Sequence, residues 1–167
     1  MKDYFDYSLE GIETDLMMDS ESVDIYHQPV LLNEVLDCLN LSPGKLIVDC
    51  TVGGGGHAAG ILERVTPGGF LLGIDRDKEV LEVSAKRLDK YGNAFKLVHG
   101  NFKDLDLIMK DLNIISVDGF LFDLGFSSYQ LEAPERGFSF RLNGPLDMRM
   151  DRTQKLTACD LVNNTEE

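Results

Sequence analysis

Val48-Asp49-Cys50-Thr51-Val52-Gly53-Gly54-Gly55-Gly56-His57 joins an apolar strand to an apolar helix through four consecutive glycines. Lys45-Leu46-Ile47-Val48 before it reads as a short buried strand, and Ala58 to Val65 after it as a helix. Glycines in such a turn remove every Cβ, so the backbone reaches positive φ at little cost and lets a ligand come close. The helix that follows opens with unpaired N–H groups and a partial positive charge. The turn suits the anionic or carboxylate part of a nucleotide-like cofactor. A flexible linker would mix Gly with Ser and would not be wedged between two apolar elements.

Outward from this turn, apolar runs and helical periods alternate. Upstream, Leu31, Leu32, Val35, Leu36 and Leu39 follow a helical period, with Pro29 suited to its first turn, and Ser42-Pro43-Gly44 ends it. Downstream, Phe70–Asp75 is a second buried strand. Asp77 is placed to cap a helix whose face is Val80, Leu81, Ser84, Ala85 and Leu88. Ala94–Val98 reads as a third strand, Leu105, Ile108, Met109 and Leu112 as a third helix of this series, and Val117–Leu124 as a fourth strand. Strands that are apolar runs, alternating with helices, predict an α/β fold with a parallel sheet covered on both faces. Ligands of such sheets sit beyond the carboxyl ends of the strands. Gly53–His57, Asp75, Asn101-Phe102 and Asp123 all fall there.

Each rim residue has a chemistry. Asp75, 19 residues after Gly56, can accept hydrogen bonds from two ribose hydroxyls. Phe102 can stack on an adenine ring or fill the core. His57 can bond a cofactor carboxylate or cap its helix. Gly53, Gly55 and Ala58 also fit the dinucleotide fingerprint, so spacing alone does not separate NAD from S-adenosylmethionine. His27 and His99 are isolated and read as structural, and no cluster has metal-ligand spacing.

Composition bounds the rest. The chain has 167 residues, 43% apolar and 27% charged, enough for one domain with a real core. No apolar run is long enough to span a membrane, and no secretory or mitochondrial address is visible. Three cysteines, Cys38, Cys50 and Cys159, without C-x-x-C spacing point away from a disulfide framework or zinc site and toward a reducing cytoplasm. Net charge is −13, of which −7 falls in residues 1–26. That leader reads as an acidic, disordered tail. The remaining 141 residues carry only −6, so a nucleic-acid substrate stays open even though a free-standing binder held by phosphate contacts is disfavoured. A long loop after the fourth strand, rich in Gly, Ser, Phe and Arg, reads as functional, able to stack on and pair with an unstacked nucleotide.

These blocks carry a resemblance. His27–Leu32, Gly55-Gly56-His57, Ile74-Asp75-Arg76-Asp77, Asp123-Leu124-Gly125, Ser127-Ser128, Pro134–Phe140 and Gly144–Asp151 resemble the bacterial small-subunit ribosomal RNA cytosine-N4 methyltransferases, the MraW (RsmH) family. The similarity covers nearly all of 27–164, with Tyr129 standing where the family usually has proline. It implies a Rossmann-like class I fold that uses S-adenosylmethionine and acts on small-subunit ribosomal RNA or the ribosomal subunit, with no membrane partner. Gly55, Gly56 and His57 would hold the methionine end, Asp75 the ribose, and Phe102, Asp123 and Gln130 the rest of the pocket. Asp123 is the candidate acceptor for the target amine. The family is about twice this length and its sheet has more than the four strands counted here. The resemblance therefore implies an incomplete methyltransferase domain over 27–167, cut before its helical substrate domain and last strands. A fourth strand with an unpaired edge would favour homo-oligomers. Two other readings are a nicotinamide-dependent oxidoreductase fragment and a non-catalytic cofactor- or RNA-binding module.

Overall fold

The computed structural model describes residues 29–165. The acidic leader, His27 and Gln28 lie outside the described residues. The chain divides into two compact units, one running to Leu124 and one beginning at Gly125.

The first unit is the α/β body, a parallel sheet with helices on both faces. Its elements are α1 (Leu32–Cys38), β1 (Leu46–Asp49), α2 (Gly56–Val65), β2 (Phe70–Asp75), α3 (Lys78–Leu88), β3 (Phe95–His99), α4 (Leu105–Asp111) and β4 (Gly119–Leu121). All pairings are parallel, in the order β3-β2-β1-β4. The strand order reverses at β1, which has β2 on one side and β4 on the other, and this switch is where a parallel sheet opens a ligand crevice.

The strands are apolar throughout because both faces are covered. Ile47, Leu71, Leu97 and Leu121 point to one side, where Leu36 of α1, Ile61 and Leu62 of α2 and Leu81 and Leu88 of α3 bury them. Val48, Leu72, Ile74 and Val98 point to the other, against Ile108 of α4. Adjacent strand residues thus enter different cores, the signature of a buried parallel strand. The face read for α3 is the face it buries, and Asp77 caps it by accepting from the Glu79 N–H at 3.1 Å.

Strands β1 and β3 each lie one residue later than read and α2 begins two residues earlier, at Gly56; two boundaries differ more. α1 starts after Pro29, because Leu31 takes a left-handed conformation (φ 54°) at the helix entrance. The preceding residues are instead tied to the glycine turn: Val30 C=O is bonded by His57, and Pro29 lies against Gly56. β4 covers three residues, not eight. Side chains take over its ends: Asp118 accepts from the Leu46 N–H at 2.8 Å, and the Asp123 N–H donates to Thr51 Oγ at 2.7 Å.

The second unit carries the segment read as a loop, and it is more ordered than a loop. It contains α5 (Ser128–Glu132), a single 3₁₀ turn at Pro134–Arg136 and α6 (Ala158–Asn164). Thr157 caps α6 with Asp160 in a reciprocal capping box. Arg136, 1% exposed, is the unit's centre: its guanidinium donates to the carbonyls of Arg149 and Met150 at 3.0 and 3.1 Å.

Candidate functional site

The glycine turn is built by hydrogen bonds that leave one side of it open. Gly53 and Gly55 sit at φ +53° and +78°. A Cβ on Gly55 would also meet Ser84 Oγ at 3.2 Å, so a side chain there is opposed by both backbone and neighbour. The turn is pinned from α3, where Ser84 Oγ donates to Gly53 C=O and Arg87 donates to Gly54 C=O at 3.1 Å. A Cβ on Gly54 would meet nothing within 4 Å, so that face is free to receive a ligand.

Asp75, at the carboxyl end of β2, closes the turn from the next strand. One carboxylate oxygen accepts from the Gly53 N–H and the other from the Asp77 N–H, each at 2.9 Å. Burial still holds its carboxyl above the ordinary carboxylate range, with those N–H bonds opposing the rise.

Asp49 belongs to the site although its spacing singled out nothing. It ends β1, is 1% exposed, and accepts from the Thr51 N–H at 3.1 Å. Burial pushes its carboxyl up to about 7, and the charges of Asp75 and Asp123 add to the rise. Asp123 follows β4 and is half-exposed, its carboxylate 3.7 Å from His57 Nδ1. Three carboxylates from β1, β2 and β4 thus converge beside the turn. Cys50, next in the chain, is buried and its thiol is pushed up to about 12, which leaves it inert.

His57 is oriented by the chain rather than open at both nitrogens. Its Nε2 lies 3.0 Å from Val30 C=O, and a carbonyl can only accept, so the proton sits on Nε2. Phe102 is not a core residue. It is exposed on the rim, where its ring meets Phe122 edge-on with centroids 5.6 Å apart. His99 is structural, its Nε2 lying 3.0 Å from Arg76 C=O.

The first unit therefore brings together Gly55, Gly56, His57, Asp75, Phe102 and Asp123 at the carboxyl ends of its strands. Gln130 belongs to the second unit. There it is buried and completes the capping box of α5, its Oε1 accepting from the Ser127 N–H at 3.0 Å. Asp49, Thr51, Ser84 and Arg87 are the residues that sequence reasoning missed. Ser84 left a signal, a hydroxyl in the middle of an otherwise apolar helix face; Arg87 left none. Among the described residues no group of three or more His, Cys, Asp or Glu is placed to hold a metal, and no helix is long and apolar enough to cross a membrane.

The ribosomal RNA small subunit methyltransferase H of Syntrophotalea carbinolica is 52% identical over 137 residues, covering 82% of this chain and 44% of that protein. The protein of the same name from Syntrophus aciditrophicus is 52% identical over 142 residues, covering 85% and 45%. The chain thus spans less than half the length of these relatives. A solved structure, of a candidate rRNA-methylase from Clostridium thermocellum, matches with a TM-score of 0.50 at 20% identity, over 60% of this chain and 54% of that one. At that identity the likeness bears on the fold alone. The model of the MraW methylase family matches residues 24–167, a span that takes in the glycine turn, every rim carboxylate and Gln130, and the chain belongs to that family.

Proposed function

We propose that the chain binds S-adenosylmethionine at the glycine turn and belongs to an enzyme that methylates the exocyclic N4 amine of a cytosine in small-subunit ribosomal RNA. The observation that carries the cofactor assignment is the convergence of Asp49, Asp75 and Asp123. S-adenosylmethionine carries a sulfonium and a net positive charge, which three carboxylates favour. The diphosphate of a nicotinamide dinucleotide would bring two negative charges toward the same three groups, and like charges at such range repel. The fingerprint at Gly53, Gly55 and Ala58 fits either cofactor, so the charge of the rim decides between them.

Bound there, S-adenosylmethionine supplies an electrophilic methyl group. Backbone N–H groups of the turn would hold its carboxylate, and Asp75 would accept from its ribose hydroxyls. Phe102, held edge-on by Phe122, would pack on the adenine. A cytosine amine is a poor nucleophile because its lone pair is delocalised into the ring. The residues must therefore act by positioning the amine in line and accepting its hydrogen bond as charge develops. Asp123 is the acceptor we assign. It is half-exposed, carries a free carboxylate edge beside His57, and sits at the switch in strand order. A base inside a duplex cannot be reached, so the target would be in a loop or splayed out. Three free cysteines suit a reducing cytoplasm.

Calorimetric titration tests this reading. The chain should bind S-adenosylhomocysteine and not NAD, and Asp75→Ala should weaken that binding at least tenfold. NAD binding that needs Asp75 would overturn the methyltransferase assignment.

A further inference from the structure

The finger between Arg136 and Met148 has a use that the cofactor site does not absorb. Its base is fixed within the second unit. Arg136 is buried, and its carbonyl accepts from the Met148 N–H at 3.0 Å. Gly144 packs so closely on Pro134 that any Cβ would overlap the Pro134 carbonyl. Phe138 turns inward and is buried, its ring 5.8 Å from that of Phe126. Ser139 Oγ then accepts from the N–H groups of both Arg141 and Leu142 at 3.2 Å, which folds the tip back on itself. Phe140 is left fully exposed at the crown of this braced turn, with Arg141 exposed beside it. From Gly137 to Leu146 there is no acid, in a chain of net charge −13.

Phe140 presents a whole aromatic face to solvent on an ordered support, which leaves both faces of the ring open to stacking. Two neighbours, one aromatic and one guanidinium, match the two parts of an unpaired nucleotide: a base to stack on and a phosphate to pair with. A duplex would hide its bases from the same ring. The geometry points to the Phe138–Leu142 finger as a contact for single-stranded RNA, with Phe140 the stacking platform and Arg141 the phosphate contact. This deepens the RNA-methyltransferase reading and rests on it, since that reading supplies the kind of partner.

The chain has no tryptophan, so Phe140→Trp introduces a single reporter at the crown. A 12-nucleotide single-stranded RNA should quench that emission to saturation, and the same sequence as a duplex should not. In the otherwise native chain, Phe140→Ala should raise the dissociation constant for the single strand about tenfold. Arg141→Ala should flatten the dependence of log K on log salt by about 0.7. Because Phe140 is exposed, Phe140→Ala should melt with the native chain, so lost binding is not lost folding. Binding of the strand without quenching, or without weakening in Phe140→Ala, would overturn the proposal. So would no binding at all. Emission already blue-shifted without RNA, and varying with protein concentration, would assign the finger to self-association instead. S-adenosylhomocysteine titrated into the same samples separates the two readings. Cofactor binding without RNA quenching sinks the finger and leaves the methyltransferase; quenching without cofactor binding does the reverse.

Discussion

At Asp49 the chain accepts a loss of stability in the place where a cationic cofactor would be held. Its carboxyl is raised from an ordinary value of 3.8 to about 7, so the folded state holds a proton that the unfolded chain has already released. Stability therefore falls as pH rises from about 4 to about 7, and the loss is complete above that window. A rise of this size is worth up to about 4 kcal/mol. Asp49→Asn keeps an acceptor for the Thr51 N–H and removes the charge. Thermal melts should show the variant more stable than the native chain at pH 8 and equal to it near pH 4. The same variant should bind S-adenosylmethionine more weakly at pH 8, and the ratio of native to variant affinity should grow between pH 6 and 8 as Asp49 ionises. Equal melting curves for the two chains at pH 8 would show that the buried charge carries no penalty. Gly55 gives a second check at this scale. Gly55→Ala forces a side chain into a left-handed conformation against Ser84, and should cost about 1–2 kcal/mol in a denaturant melt and weaken S-adenosylhomocysteine binding.

Elements whose boundaries are set by their own residues were readable, and those set by distant partners were not. β2 was readable because Pro67-Gly68-Gly69 introduces it and Asp75 ends it, and the observed strand is Phe70–Asp75. The buried face of α3 followed from its helical period alone. β4 looked longer because its eight apolar-rich residues carry no mark of where side-chain bonds replace the ladder: the Asp118 carboxylate accepts from the Leu46 N–H at one end, the Thr51 hydroxyl accepts from the Asp123 N–H at the other, and both partners lie about 70 residues away in the chain. The second unit was read as a loop because its order comes from isolated hydrogen bonds and ion pairs between non-repeating positions, which leave no period in the sequence. Asp147 shows this best. Its carboxylate takes a two-pronged bond from Arg149, at 2.8 Å from Nε and 2.7 Å from Nη2, and the Asp147 carbonyl accepts from the Ala158 N–H at the start of α6. The guanidinium holds the Asp147 carboxyl down at about 2. With the folded value below the unfolded one, its stabilisation is fully present above about pH 4 and is lost as pH falls toward 2. Asp147→Asn should therefore lower stability by about 1–2 kcal/mol at pH 7, and the gap to the native chain should narrow as melts are taken from pH 4 down to 2. A gap that stays constant across that range would mean the side chain's shape, not its charge, holds the segment.

At the scale of the molecule, the sheet and both apolar clusters are finished before the second unit begins. Every buried member of the two clusters lies between Leu36 and Leu121, and each sheet face is closed by helices from the same stretch. The sequence announced this, since the alternation of apolar strands and helices stops at the same point where the Gly- and Arg-rich blocks start. What it did not announce is that those blocks form a compact unit of their own around buried Arg136. The division leads to a prediction about which part carries the cooperative fold. Hydrophobic burial is the main favourable term in folding, and the residues after Leu124 add no member to either cluster. A chain ended after Leu124 should therefore still unfold in one cooperative step by circular dichroism, within a few degrees of the native midpoint. β4 remains the edge strand in both, with Phe120 exposed on it, so both chains should self-associate at high concentration and a charged substitution such as Phe120→Lys should reduce it in sedimentation. The shortened chain keeps the glycine turn, Asp75, Phe102 and Asp123, and should still bind S-adenosylhomocysteine in a calorimetric titration. If the shortened chain loses its cooperative transition, the second unit is part of the folding core, and the first unit's clusters are not sufficient to hold the sheet.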